Sequence, residues 1–220
     1  MNIWVRIAIV ALSALSGACA MLAPREDITV YAPALARSGE AETDRSLVPP
    51  VQLVVERLHA IAPFDATRIV VIPTPGEVQF YKGVRWQDAA PVMLQELLLQ
   101  AFRQTKTFAS AASSMGAARV DFVLHSDLEA FQAEYRDAAT PTVVVRLSVQ
   151  LQRSADSTIV ATRTFTVETA SAAPASRAVF LAFQSALDQL FRRIVGWTEE
   201  SVASAQASDE AVRHADHERR

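Results

Sequence analysis

The sequence predicts an α+β domain: a largely antiparallel sheet with two main helices packed on one face. Three observations predict it. Between Val120 and Glu168, apolar and polar residues alternate in successive runs, the pattern of strands with one wet face. Two other stretches, residues 88–106 and 175–197, carry apolar residues at steps of three and four, as helices do. The order is strands, helix, three strands, helix, which is the segregated order of α+β folds.

The elements follow in chain order. Asp27 to Tyr31 reads as a first short strand, and Ala36 to Pro50 as a polar loop closed by two prolines. Val51 to Leu58 and Arg68 to Ile72 are rich in β-branched residues and read as strands. Pro73, Pro75 and Gly76 mark a turn, Val78 to Tyr81 alternates as a strand, and Gly83 permits a tight turn before Arg85 and Trp86. Asp88 is the expected N-cap of a helix carrying Leu94, Leu97, Leu98, Ala101 and Phe102 and ending near Lys106. Ala109 to Ala118 is small and polar and reads as a loop.

In the next strand Val120, Phe122, Leu124, Leu128 and Ala130 are expected inward, with Asp121, His125, Asp127 and Glu129 opposite. Val143, Val145, Leu147, Val149 and Leu151 repeat the pattern. After a turn at 155–157, Ile159, Ala161, Phe165 and Val167 are expected inward on a third strand, completing an antiparallel meander. Phe183, Leu187, Leu190, Ile194 and Trp197 form the stripe of the second helix. Beyond Glu199 the chain turns to alanine, serine and charge. It is expected to be a frayed helix or disordered, and removable after Ser201 without loss of the fold.

The N-terminus has the features of an export signal. Arg6 supplies positive charge, and Ile7 to Leu15 is apolar except for Ser13, a run too short to span a bilayer. Ser16, Gly17 and Ala18 then lead to Cys19, the single cysteine. This is the setting in which a lipoprotein precursor is cut before a diacylglyceryl-modified cysteine. Ser16 stands where a leucine is preferred. The competing reading is an ordinary cut after Ala20, with Ala18-Cys19-Ala20 as the small-x-small site, which would release a lipid-free periplasmic protein. With one cysteine, no intramolecular disulfide can form. The organisation expected is a signal peptide over 1–18, a tether and first strand over 19–50, a domain over 51–198 and a polar tail over 199–220. Ala20 after the cysteine, where aspartate would favour inner-membrane retention, points to the outer membrane of a Gram-negative bacterium.

No enzyme motif is present: no P-loop, no G-x-G-x-x-G and no nucleophile elbow. A net charge of -3 argues against a nucleic-acid partner. His125 and Asp127 share a strand face and read as solvated surface, and His59 has no evident partner. His214 and His217, flanking Asp216, would share a helix face but read as weak, adventitious metal ligands. Glu199-Glu200, Glu129 and Glu134 give no legible carboxylate pair. No catalytic, cofactor or metal residue is assigned. Phe80, Tyr81, Arg85 and Trp86 are the motif of interest. They form either a structural anchor, with Trp86 plugging the sheet end and Arg85 stacking or pairing nearby, or a partner or lipid contact.

Taken with the signal and Cys19, the series from Val78-Gln79-Phe80-Tyr81-Lys82-Gly83-Val84-Arg85-Trp86 through Pro91, Leu94, Leu97, Phe102 and Phe108 resembles the ABC-type transport auxiliary lipoprotein family, which includes the Pqi-type lipoproteins. Leu128-Glu129-Ala130-Phe131 and the closing helix to Trp197 extend the resemblance over Ile28 to Trp197. It implies a non-enzymatic lipoprotein, acylated (palmitate is the usual chain) at Cys19 and needing no cofactor. The implied role is to dock an MCE-domain substrate-binding protein, and through it an ABC permease and ATPase that move lipids or other hydrophobic molecules. A homo-oligomer is compatible with it. The alternatives are a soluble periplasmic ligand-binding protein or hydrolase, and an assembly lipoprotein of another envelope machine.

Overall fold

The computed structural model of the chain describes residues 27–35, 51–105, 108–113, 120–136 and 138–219. Cys19 and the signal segment lie outside the described residues.

One strand organises the sheet. β7 (Phe122–Glu134) is 13 residues long, and β8 (Thr142–Arg153) runs antiparallel along its whole length, followed by β9 (Ile159–Ala170) on β8. The expected meander is therefore present. The other edge of β7 is shared. β2 (Val51–Val55) lies parallel to its first part, with Leu53 opposite Phe122. β3 (Val70–Ile72) lies parallel to its last part, with Val70 opposite Gln132. β6 (Phe108–Ala112) extends the sheet beyond β2 in parallel, and β4 (Gln79–Phe80) extends it antiparallel beyond β3. The sheet is mixed and mostly antiparallel. β1 (Thr29–Tyr31) and β5 (Val84–Trp86) form a separate parallel pair.

Both helices cover one face. α1 (Ala90–Arg103) sets Leu94, Leu98 and Phe102 into the core, and buried Gln95 donates from Nε2 to Val55 O at 2.9 Å, tying the helix to β2. The start of α1 differs by one residue from expectation: Ala89 is the N-cap, and Asp88 Oδ1 accepts only from the Ala89 amide at 2.7 Å. Pro91, which has no amide to leave unpaired, suits this first turn. α2 (Ser176–Glu218) buries Phe183, Leu187, Leu190 and Ile194 against β8 and β9, and the half-buried Trp197 meets Phe165 edge-on at 5.6 Å.

Three expectations need correcting. First, residues 109–112 belong to β6: Phe108 and Ala111 are buried, and parallel pairing with β2 outweighs the low strand propensity of alanine and serine. Second, α2 does not stop near Trp197. It runs 43 residues, about 65 Å at 1.5 Å per residue. Val202 is fully buried and Ala205 nearly so, while Arg153 pairs with Asp209 at 3.0 Å. Small residues carry a weak hydrophobic signal, yet at steps of three they let the helix lie close to the sheet end. Third, the inward alternation changes twice. A bulge between Leu128 and Ala130 puts Ala130 opposite Arg146 on the open face, and Phe131 takes the inward place. An irregularity at Leu151/Gln152 sets Ile159 opposite Gln152, so Ile159 is exposed and Ala161 only half-buried.

Truncation after Ser201 is expected to lower stability by about 1–3 kcal/mol, because it removes the buried Val202 and Ala205 and one ion pair. Denaturant unfolding measures this. A midpoint equal to that of the full chain would mean the last turns do not contribute to the core.

Candidate functional site

The motif from Phe80 to Trp86 is divided by strand geometry. Successive residues on β5 face opposite ways, so Trp86 points in and Arg85 points out. Gly83 precedes them with φ +67°, a conformation side chains disfavour, and its carbonyl accepts from Thr29 N–H at 2.8 Å. The far end of the pair closes where Gln87 N–H donates to Tyr31 O at 2.9 Å.

Trp86 is completely buried. Its ring lies 5.1 Å from Phe131 and 5.1 Å, edge-on, from Phe183, with Phe180 at 6.5 Å. Tyr31 stacks on Phe180 at 4.6 Å and its hydroxyl is 3.2 Å from Ser176 Oγ. Among the described residues Trp86 Nε1 has no hydrogen-bond partner, so packing holds the indole. Such aromatic contacts each add about 0.5–1.5 kcal/mol beyond burial. The anchor reading of Trp86 agrees with this geometry.

The other three motif residues go elsewhere. Arg68, not Arg85, stacks over Phe80, 3.5 Å from the ring centroid. Tyr81 lies with its hydroxyl 3.4 Å from that of Tyr135, and burial, then this hydrogen bond, push its phenol pKa upward. Arg85 is exposed, and among the described residues it has no ion pair.

The sheet face away from the helices is open and polar. His125 and Asp127 share it, as expected, but do not pair with each other. His125 Nδ1 is 2.9 Å from Glu56 Oε2 and its Nε2 is 2.8 Å from Gln152 Oε1. Asp127 Oδ1 is 3.0 Å from His59 Nδ1, so His59 has a partner after all, brought to it by an isolated bridge between the two residues. Sequence reasoning missed both links because the partners are about 70 residues apart. Farther along this face, Arg136 donates to Glu134 at 2.8 Å and to both oxygens of Glu168 at 2.7 and 2.9 Å. The Arg136 hydrogen bonds hold the Glu168 carboxyl below its ordinary value. Glu129 is exposed, Glu200 is exposed, and His214 and His217 are exposed near the end of α2. Among the described residues no His, Cys, Asp and Glu grouping is suited to hold a metal.

A cleft of about 640 Å³ opens at the sheet end between β2, β6 and the last turns of α2. Gln52, Asp121, Arg153, Gln206 and Asp209 are among its lining residues, and the Arg153–Asp209 pair crosses it. Among the described residues no helix is long and apolar enough to cross a membrane.

The comparisons bear on this arrangement. A family model described as the ABC-type transport auxiliary lipoprotein component matches residues 34–195. Protein XCC0632 from Xanthomonas campestris is similar at 34% identity, covering 82% of this chain and 99% of that one, with a TM-score of 0.71. The hypothetical protein CT253 from Chlamydia trachomatis shares 9% identity, covering 71% of this chain and 99% of that one, with a TM-score of 0.53, a likeness of fold alone. No curated protein matches.

Two outcomes are expected. Trp86→Ala should destabilise the domain by about 3–5 kcal/mol, as for a buried aromatic. An unchanged unfolding midpoint would place Trp86 outside the core. The Glu168 pKa is lowered on folding, so its contribution is present above the ordinary value of 4.5 and is lost as pH falls through the lowered one. Arg136→Met should therefore cost under about 1 kcal/mol at neutral pH, since the pair is half exposed, and should flatten the acid dependence of stability below 4.5. Unfolding curves of parent and variant at neutral and acid pH compare the two. An acid dependence identical to the parent's would show the pair to be idle.

Proposed function

We propose, from the premise that the chain belongs to the ABC-type transport auxiliary lipoprotein family, that it is a non-enzymatic docking component anchored by acylated Cys19. Membership in that family implies an auxiliary lipoprotein of ABC transport at the cell envelope. The finer reading is that it sits on the periplasmic side of the outer membrane. There it receives an MCE-domain substrate-binding protein, whose ABC permease and ATPase move lipids or other hydrophobic molecules.

One observation carries the proposal: the matched residues, 34–195, span β2 to the middle of α2, which is the packed domain rather than a fragment of it. The division of labour supports it. The sequence holds no P-loop, so nucleotide hydrolysis falls to a partner. The mechanism is positioning. An acyl anchor confines the domain to a surface and raises its effective concentration near a partner spanning from the opposite membrane. The polar face of β7, β8 and β9, with no helix over it among the described residues, offers that partner a rigid platform of hydrogen-bonding side chains.

The test is the intact mass of the mature protein from a membrane fraction, followed by crosslinking in cells that hold the transport system. The expected result is a chain beginning at Cys19 with acyl mass, crosslinked to an MCE-domain protein. A lipid-free chain beginning at Met21 would remove the anchor. Acylated protein that crosslinks only to components of another envelope machine would remove the transport role.

A further inference from the structure

The β1–β5 pair turns one face to the Trp86 cluster and the other outward. Register places Val30 opposite Arg85, and alternation adds Ile28 to the outward side, while Tyr31 and Trp86 share the inward one. Ile28 is 59% exposed and Val30 45%, two of the few large apolar side chains so open among the described residues. Arg85 is exposed on that outward side, and Lys82 is exposed in the turn before β5. Asp27, before β1, and Asp88, after β5, are exposed carboxylates beyond the paired residues. Register thus sets a cation, Arg85, beside an exposed apolar pair.

The position of this face in the chain identifies what it meets. Cys19 to Ile28 is nine residues, a reach of at most about 30 Å at 3.3–3.6 Å per residue. A domain anchored at Cys19 cannot carry β1 far from the bilayer. Tyr31, stacked on Phe180, and Trp86, packed on Phe183, fix the pair rigidly to α2, so the outward face keeps one orientation relative to the domain.

We propose that the outward face of β1–β5, with Ile28 and Val30 beside Arg85, rests on the bilayer that holds the anchor and contacts anionic lipid headgroups. Apolar side chains enter the headgroup boundary while cations pair with phosphate, the division of roles seen in interfacial binding. The contact orients the domain, turning the sheet platform to a set angle rather than leaving it to swing on its tether. This rests on the reading of Cys19 as acylated.

The test uses the full lipoprotein with Val30→Cys. An acylated Cys19 is a thioether, so the introduced thiol is the one free site for an environment-sensitive maleimide dye. Ile28→Cys reports the same face, and Ser208→Cys, exposed near the far end of α2, is the control. In vesicles of phosphatidylethanolamine and phosphatidylglycerol, the dye at 30 or 28 should shift to the blue and be quenched by spin-labelled lipid. The dye at 208 should do neither, and Arg85→Glu or added salt should reduce the shift. No shift in protein whose mass shows acylated Cys19, and which floats with the vesicles, overturns the proposal and leaves the anchor standing. A lipid-free chain that stays in solution brings down both. A disulfide between two copies through position 30, in place of quenching, also overturns it and assigns the edge to a second copy of the chain.

Discussion

The burial of Trp86 is the interaction on which the rest of the molecule depends. Its indole joins three parts of the chain at one place: the β1–β5 pair, the part of β7 beyond its bulge, and the first turns of α2. β1 has only three residues and one strand partner. Its attachment to the domain runs through β5 and through Tyr31 on Phe180. Without the indole, the N-terminal segment would lose its seat and Phe131 and Phe183 would face a cavity. Packing must carry this, because the chain has one cysteine and the indole nitrogen has no partner among the described residues.

The bulge in β7 is a second part of the same arrangement. Before it, even-numbered residues from Phe122 to Leu128 face the helices; after it, Phe131 and Ala133 do. One extra residue thus aims Phe131 at Trp86 and sends Ala130 to the open face. The two faces of the sheet then have different work. The helix side is apolar and close-packed. The open side is a lattice of exposed pairs, His59 with Asp127, His125 with Glu56 and Gln152, and Arg136 with two glutamates. Exposed pairs of this kind contribute little to stability. They keep the face wet and ordered, which suits a surface that meets a partner.

The legibility of these features in the sequence follows their physical origin. The strands of the meander and the stripe of α2 were readable because burial of one face repeats at a fixed period. Trp86 was readable as an anchor because a large aromatic beside a turn has few other uses. β6 and the last half of α2 were not. Alanine and serine carry almost no hydrophobic signal, and their burial comes from the neighbours they admit, β2 for Ala111 and the sheet end for Val202 and Ala205. Nor was it readable that Arg68, rather than Arg85, covers an aromatic ring.

By itself the sequence determined the fold class, the order of most elements and the family, because these rest on local periodicity, composition and ordered motifs. Tertiary structure alone decided which way each side chain of the Phe80–Trp86 motif points, where the alternation of β7 reverses, which carboxylate meets which histidine, and how far α2 runs. Those outcomes depend on pairing register and on contacts between residues far apart in the chain, and no local pattern encodes either.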